Sequence, residues 1–218
     1  MQGVGIFVVF VGLQMTLSAD FSSISDFFRI DGALVVLVCL IVGGLIGSLA
    51  DIEGRLDKLG NAIEAKFSCG SPDREAGSGL IAKGFVVASL LYCVGPMAVV
   101  GAINDALLGD VTTLATKAVL DGITSIAFAS TLGLGVALSA GTVLLYQGVI
   151  TLLASALEPV LSGPVVQTMQ GVGGLLVAGI GINLLDIVKI RVGDLLPSLF
   201  VVFLLMIGRT LFSLAGFV

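Results

Sequence analysis

The sequence predicts an all-α, polytopic membrane helical bundle of about seven spans with inverted-topology internal repeats. Three observations lead to this prediction. Hydrophobic residues make up 57% of the chain and charged residues 11%, with a mean hydropathy of +1.17. Apolar runs of roughly 20 residues recur, each long enough to cross about 30 Å of hydrocarbon. A segment near the N-terminus returns near the C-terminus.

Strand-like alternation is absent from the apolar runs, so helices are favoured over a β-barrel. The first expected partner is therefore the lipid bilayer, and nothing in the composition, with its net charge of −5, suggests nucleic acid. The chain has three cysteines and no histidine, so it has no Cys/His metal spacing. We expect no metal and no cofactor.

The repeated segment reads Met-Gln-Gly-Val-Gly at residues 1–5 and again at 169–173. A second similarity pairs Gly-Leu-Gln-Met at 12–15 with Gly-Ile-Asn-Leu at 181–184, allowing one gap. Each copy continues through a polar loop containing an arginine to a second apolar run. We interpret this pattern as a duplicated helix pair.

Seven apolar runs predict the spans. Their approximate bounds are 3–19, 32–50, 80–103, 113–130, 132–157, 172–185 and 195–215. Residues 20–30 are expected to be a short loop, and Glu158-Pro159 with Gly163-Pro164 mark a loop before the sixth run. The first run is alternatively a cleaved signal peptide, but it lacks a basic leading segment and Leu17 is a poor −3 residue before Ala19.

These runs divide a single membrane domain, residues 1–218, into four parts. They are repeat A (about 1–50), a cytoplasmic amphipathic segment (51–79), central spans (80–130) and repeat B (about 132–218). Small residues at 43–47 in repeat A suit close helix packing.

The segment after repeat A predicts a helix that lies on the membrane surface. Its apolar residues at helical spacing are Ile52, Leu56, Leu59, Ile63 and Phe67. Cys69–Asp73 and residues 77–79 predict a flexible link. A passive surface helix is the simpler interpretation, and a docking site for a partner is the alternative.

The third run is interrupted by Gly95 and Pro96, since proline removes a backbone donor and clashes with the preceding turn. An ordinary kink is one interpretation, and freed backbone groups that bind an ion are the other. Asn104 and Asp105 follow this run, either as a helix-end cap or as the lining of a vestibule.

Basic residues set the expected orientation. The long polar segment holds half of the ten basic residues and should be cytoplasmic. If every run crosses, the 186–194 loop with Lys189 and Arg191 is cytoplasmic as well. The first run and its copy at 172–185 then cross in opposite directions. Inverted repeats are typical of secondary transporters and also occur in channels and some scaffolds.

Asp121 is the leading functional candidate, because an ionisable group inside a span is costly and commonly faces a cavity or a partner. Lys117 lies on the same helical face, so a structural ion pair is the alternative. Gln14 and Asn183 occupy matched repeat positions and either approach a pseudo-two-fold axis or act as interhelical hydrogen-bond glue. The candidates for binding a solute or an ion are Asp121, Lys117, Thr124, Ser125, Asn104, Asp105, Gln147, Gln14, Asn183, Gly95 and Pro96.

Four stretches carry a family resemblance: Leu91–Gly101 (LYCVGPMAVVG), Leu120–Ser125 (LDGITS), Leu144–Gly148 (LLYQG) and Arg191–Pro197 (RVGDLLP). Across essentially the whole chain the sequence resembles the bacterial membrane proteins of domain-of-unknown-function family 554, also called YdfK-like or YqgA-like. The resemblance implies a transporter of the cell membrane but no particular substrate. In that family alanine usually stands at the position of Pro96, and a further Gly-rich span precedes the Met-Gln-Gly-Val-Gly stretch. We therefore expect a truncated chain or a late start.

Enzymatic functions find little support. The sequence has no Walker motif, no paired intramembrane aspartates and no Gly-x-Ser-x-Gly. A Ser125–Lys117 dyad would span more than two turns of one helix. We predict a secondary transporter of a small solute or ion that works by alternating access. A channel, and a scaffold that recruits a partner through residues 51–67, are the alternatives. The sequence also allows a homo-oligomer, because a bundle lacking one repeat helix exposes small-residue faces.

Overall fold

The computed structural model describes residues 2–67, 80–157 and 161–214. The predicted flexible link at 69–79 and the Glu158-Pro159 part of the predicted loop lie outside these ranges. Within them the chain is helical and contains no strand, which confirms the predicted all-α class, while the inverted repeats stay a prediction. The helices are α1 Gln2–Leu17, α2 Phe21–Phe28, α3 Gly32–Ala50, α4 Ile52–Phe67, α5 Leu80–Val94, α6 Pro96–Leu108, α7 Thr112–Leu132, α8 Gly135–Leu152, α9 Ala154–Leu157, α10 Gly163–Leu184, α11 Val192–Leu195 and α12 Pro197–Leu214.

Three of the described helices are long and apolar enough to cross a membrane: α3, α8 and α10. Two bent pairs, α1 with α2 (47°) and α5 with α6 (59°), raise the number to five if each pair counts as one span. Large apolar side chains face outward, including Leu49 and Leu152, which are 88% and 86% exposed. Such a surface fits lipid surroundings. The seven spans stay a prediction.

Two predicted boundaries are wrong. Residues 20–30 are not a loop but contain α2, because the Asp20 side chain accepts the backbone N–H groups of Ser22 and Ser23 and caps a short helix. The helix of the sixth predicted span, α10, begins at Gly163 rather than near residue 172. Pro164 lies in its first turn, where a missing N–H breaks no helical hydrogen bond. This Gly-Pro pair therefore begins a helix instead of forming a loop.

The two copies of the repeated helix, α1 and α10, pack against each other in antiparallel directions. Gly5 lies beside Gly181, and Gly12 lies beside Gly174. A Cβ atom on Gly12 would lie 2.6 Å from the Gly174 carbonyl oxygen, and one on Gly174 would lie 2.7 Å from the Gly12 carbonyl oxygen. Glycine is required here because the backbones approach too closely for any side chain.

The second apolar run of each copy, α3 and α12, makes a similar contact. Gly43 of α3 leaves no room for a Cβ atom beside Ser198, and Gly47 leaves none beside Asp194. The close packing predicted for the small residues at 43–47 is confirmed. The linkers of the two copies differ, since the first contains α2 whereas residues 186–191 are not helical.

Helix α7 runs antiparallel to both halves of the broken segment α5–α6. Gly84 lies against Leu132, and Gly101 lies against Leu114. Positions 114 and 132 on one straight helix are about 27 Å apart at about 1.5 Å per residue. The segment α5–α6 therefore advances by a similar distance in one overall direction, and its bend does not turn it back.

These contacts place the connections at two ends of the bundle. At the first, which we call the α4 end, Arg191 pairs with Asp51, Lys83 lies 3.6 Å from Asp186, and Gly5 contacts Leu185. The α7–α8 turn joins this end, because Gly135 contacts Ile81. At the opposite end the Asp20 N–H donates to the Gln167 side chain at 2.9 Å, which ties the α1–α2 junction to the start of α10.

Candidate functional site

Lys117 and Asp121 form an ion pair on successive turns of α7. Their spacing of four residues brings both side chains to one face of the helix. The Lys117 side chain is 9% exposed, whereas the Asp121 side chain keeps 30% of its accessible surface. A buried ammonium group without a counter-charge is strongly destabilising, and Asp121 supplies that counter-charge. Asp121 lies near the middle of α7, and Lys117 lies one turn nearer its start.

Tyr92 of α5 packs over this pair. The Ser125 hydroxyl donates to the Tyr92 hydroxyl oxygen at 2.8 Å, and Phe128 meets the ring edge-to-face with centroids 6.5 Å apart. The Lys117 ammonium lies 5.9 Å from the centre of the Tyr92 ring, within the range of a cation–π interaction. Three side chains of α7 therefore fix one tyrosine of α5.

Two cavities of about 390 Å³ each adjoin the pair. The first, the α1 cavity, lies between α1, α5, α6, α7 and α10, and the second, the α8 cavity, lies between α5, α7 and α8. Tyr92, Lys117 and Asp121 line both cavities. These three side chains are therefore the shared boundary between two spaces of ligand-binding size.

The walls of the α1 cavity are mainly apolar. Helix α1 contributes Phe7, Val8, Val11 and Met15, and α10 contributes Val177. Gln170 of α10 is one of its few polar side chains, and the Gln170 amide donates to the Met15 carbonyl oxygen at 3.3 Å. An apolar enclosure with a few convergent polar groups is the usual composition of a small-molecule site.

The break between α5 and α6 borders the same cavity. Helix α5 ends at Val94, Gly95 is extended (φ −70°, ψ 142°), and Pro96 begins α6. Gly95, Pro96 and Met97 line the α1 cavity. Pro96 has no N–H group, and the Ala98 N–H donates to the Gly95 carbonyl oxygen at 3.1 Å. The end of one helix dipole and the start of the next still place partial charges of both signs at this break.

Seven of the predicted site residues gather around the two cavities. They are Asp121, Lys117, Thr124, Ser125, Gln147, Gly95 and Pro96. Thr124 faces the α1 cavity, and its hydroxyl donates to the Leu120 carbonyl oxygen at 2.9 Å. Ser125 and Gln147 line the α8 cavity.

The other four predicted residues line neither cavity. Asn104 and Asp105 lie in the last turns of α6, where their main-chain oxygens accept the N–H groups of Asp110 and Gly109. The Asn183 side chain donates to the Ile190 carbonyl oxygen at 2.6 Å and accepts the Ile190 N–H at 2.7 Å, so it closes the loop after α10. Gln14 is exposed.

Tyr92 is not among the residues that the sequence predicts for the site. Its partner Ser125 is 33 positions away, so no local pattern connects the two. A sequence signal does exist, because the chain has only two tyrosines and both Tyr92 and Tyr146 fall within the stretches that carry the family resemblance.

A second polar cluster, at the α4 end, joins α4 to α11 and is also missing from the predicted set. The Glu53 N–H donates to the Asp194 carboxylate at 2.9 Å, and the Gly193 N–H donates to the Glu53 carboxylate at 2.5 Å. Arg191 bridges Asp194 at 2.8 Å and Asp51 at 2.5 Å. The two acidic side chains thus cap each other's helices. Burial raises the pKa of Glu53, although the bond from Gly193 opposes this shift.

Among the residues that the structure describes, no group of three or more acidic or cysteine side chains is arranged to hold a metal ion.

Residues 1–207 match the family described as "Protein of unknown function (DUF554)". The chain belongs to this family. It is similar to the uncharacterized membrane protein YdfK of Bacillus subtilis (strain 168), with 37% identity over 168 residues that cover 77% of this chain and 68% of YdfK. It is also similar to the uncharacterized protein YqgA of Escherichia coli (strain K12), with 27% identity over 179 residues that cover 77% of this chain and 74% of YqgA.

No solved structure matches this DUF554 chain. Membership confirms the family resemblance that the sequence stretches carry, and the apolar helices agree with the description of YdfK as a membrane protein. The cavities on either side of Lys117–Asp121 are thus a candidate site within a membrane protein family of unknown function.

Proposed function

We propose that this DUF554 protein is a secondary transporter that moves a small solute or ion by alternating access. The observation that carries the proposal is the Lys117–Asp121 pair, whose lysine is buried and which two cavities share. Ionisable groups at membrane depth are costly, and where they occur they commonly mark a transport pathway. We propose no enzymatic activity for the protein.

The arrangement of the connections supports seven crossings. If α1, α3, α5–α6, α7, α8, α10 and α12 each cross once, the α3–α4 junction, the start of α5, the α7–α8 turn and the loop 186–191 all lie on one side. Contacts bring these same connections together at the α4 end. Basic residues gather there, including Arg55, Lys58 and Lys189, so we assign the α4 end to the cytoplasm of a multi-pass plasma-membrane protein.

The antiparallel contact of α1 with α10 supports inverted repeats. The two helices carry the two copies of the Met-Gln-Gly-Val-Gly sequence, and glycines from both line their crossing. Related halves of opposite orientation can exchange inward-open and outward-open shapes. The broken segment α5–α6 contributes the discontinuous helix that such transporters commonly place at the substrate.

The scaffold alternative is less well supported because α4 already uses part of its apolar face. A Cβ atom on Gly60 would lie 3.1 Å from the Ala82 side chain, and Leu56 lies against Gly193. The channel alternative requires an open path, whereas Lys117 is 7% exposed at the boundary of the two cavities.

Uptake into proteoliposomes tests the proposal. Purified protein would be reconstituted with imposed proton or sodium gradients and offered a panel of labelled amino acids, sugars, carboxylates and amines. We expect gradient-dependent uptake of at least one solute, with loss of more than tenfold in Asp121→Asn. Asp105→Asn is the matched control, because Asp105 is a carboxylate outside both cavities.

Rapid flux that needs no gradient would instead identify a channel. Absence of uptake, together with a partner that co-purifies through residues 51–67, would favour a scaffold.

A further inference from the structure

The charges around the two cavities come as one matched pair. Among the described residues that line them, Lys117 is the basic side chain and Asp121 is the acidic one. Each is the other's partner. The site therefore has no net charge to offer a ligand, and any charged ligand must exchange with the pair.

This balance selects between classes of solute. A cation would draw Asp121 away from Lys117, and an anion would draw Lys117 away from Asp121. Either leaves one charge of the pair without its partner, and a buried unpaired charge is strongly unfavourable. A solute that carries both charges leaves none unpaired, since its carboxylate replaces Asp121 and its ammonium group replaces Lys117.

The break at Gly95 offers the same two signs. The positive end of the α6 helix dipole favours a carboxylate, and the negative end of the α5 helix dipole favours an ammonium group. Both ends border the α1 cavity, which the ion pair also lines. The helix break and the pair thus match a solute with adjacent charges of opposite sign.

The rest of the α1 cavity determines the remainder of the solute. Phe7, Val11, Met15 and Val177 present apolar surface to it. Burying an apolar side chain against them is favourable, whereas a second charged group would find no counter-charge among the described lining residues.

We propose that the solute is a small zwitterion of zero net charge with an apolar side chain, as in the neutral α-amino acids, and that it binds by exchange with the Lys117–Asp121 pair. This inference rests on the proposed transport function and names the substrate class of the same site.

Binding to the purified protein in nanodiscs tests the substrate class. The probes are leucine, 4-methylpentanoate and 3-methylbutylamine, which share one side chain but carry both charges, the carboxylate alone and the ammonium group alone. Alanine, valine and phenylalanine complete the set. We expect at least one of the four amino acids to bind with a millimolar or lower Kd, and both single-charge analogues to bind at least tenfold more weakly than leucine.

Equal or tighter binding of 3-methylbutylamine would assign the site to cations, and equal or tighter binding of 4-methylpentanoate would assign it to anions. Either result overturns the zwitterion, as does the failure of all four amino acids to bind at millimolar concentration. The uptake panel separates these failures from failure of the transport function. Asp121-dependent uptake of another solute class would preserve the function and refute the substrate class.

Two double variants test the exchange itself. Lys117→Met with Asp121→Leu removes both charges and leaves no unpaired partner, and we expect amino-acid binding to fall more than tenfold. Lys117→Asp with Asp121→Lys keeps an ion pair but reverses it relative to the helix break, and we expect weakened binding with retained folding. Unchanged binding in either folded variant would contradict the exchange.

Discussion

Lys117 and Asp121 lie one turn apart on α7, and the lysine is the more deeply buried of the two. The Tyr92 ring lies 5.9 Å from the lysine ammonium group, and both members of the pair line both cavities. The more exposed member is thus a carboxylate whose removal would leave a buried ammonium group without its partner.

This asymmetry predicts non-additive effects on stability. Asp121→Asn leaves Lys117 without a counter-charge and should lower the free energy of unfolding by roughly 2–4 kcal/mol. The Lys117→Met, Asp121→Leu double variant should lose clearly less, because it leaves neither charge behind. Thermal unfolding in one detergent compares them, with Asp105→Asn expected within about 0.5 kcal/mol of the unmodified protein. A double variant whose loss equals the sum of the losses in Lys117→Met and Asp121→Leu alone would show that the two side chains are not energetically coupled.

The crossing of α1 and α10 predicts a strict requirement for glycine at position 12. In Gly12→Ala the new methyl group would overlap the backbone of α10 near Gly174, so we expect a loss of roughly 1–3 kcal/mol. Gly141→Ala is the matched control, since no atom lies within 4 Å of its added Cβ, and alanine favours a helix by up to about 1 kcal/mol. Unfolding temperatures of the two variants measure the difference. Equal temperatures would rule out the close crossing.

The cluster at the α4 end predicts a pH dependence with a defined sign. Because burial raises the pKa of Glu53 above its ordinary 4.5, the folded state holds this proton more tightly than the unfolded state. The Glu53 contribution to stability therefore falls as pH rises above about 4.5. Glu53→Gln removes this titration, so its stability relative to the unmodified protein should increase between pH 4 and pH 7. A relative stability that decreases over this range would mean that the Glu53 pKa is lowered in the fold.

The two ends of the bundle predict the sidedness of labelling. The native cysteines would be replaced by alanine, and single cysteines would be placed at Asp110 and Ile190. The cysteine at position 110 should react with a membrane-impermeant reagent added to intact cells. The cysteine at position 190 should react only after the membrane is permeabilised. A cysteine at Lys58 should behave like the one at Ile190, because α4 joins the same end through Glu53 and Gly193. Labelling of positions 110 and 190 from the same side would exclude the seven-crossing topology.

The helices and the broken third run could be predicted from the sequence because they follow from local patterns. Apolar runs define α3 and α8. Pro96 lacks a backbone N–H, so it interrupts the helix whatever its surroundings. Helix α2 was not predicted because the polar residues at 20–30 suggested a loop, whereas the Asp20 side chain caps a short helix there. The start of α10 was placed too late because a Gly-Pro pair occurs both in loops and at the first residues of helices.

The site was only partly predictable for a different reason. Lys117, Asp121 and Ser125 share one helix, so their spacing alone brings them together. Tyr92 joins them across 33 positions, and Arg191 meets Asp51 across 140. Contacts of this kind depend on how the helices pack, which a single sequence does not encode in any local pattern.

Solute counterflow tests alternating access at the Lys117–Asp121 site most directly. Proteoliposomes loaded with whichever of the four amino acids binds best would be diluted into a trace of the same amino acid carrying a label, with no ion gradient imposed. A carrier that exchanges one solute at a time transiently concentrates the label inside, and we expect this overshoot in the unmodified protein and in Asp105→Asn but not in Asp121→Asn. A label that only rises to equilibrium in the unmodified protein, or an overshoot that persists in Asp121→Asn, would contradict the account.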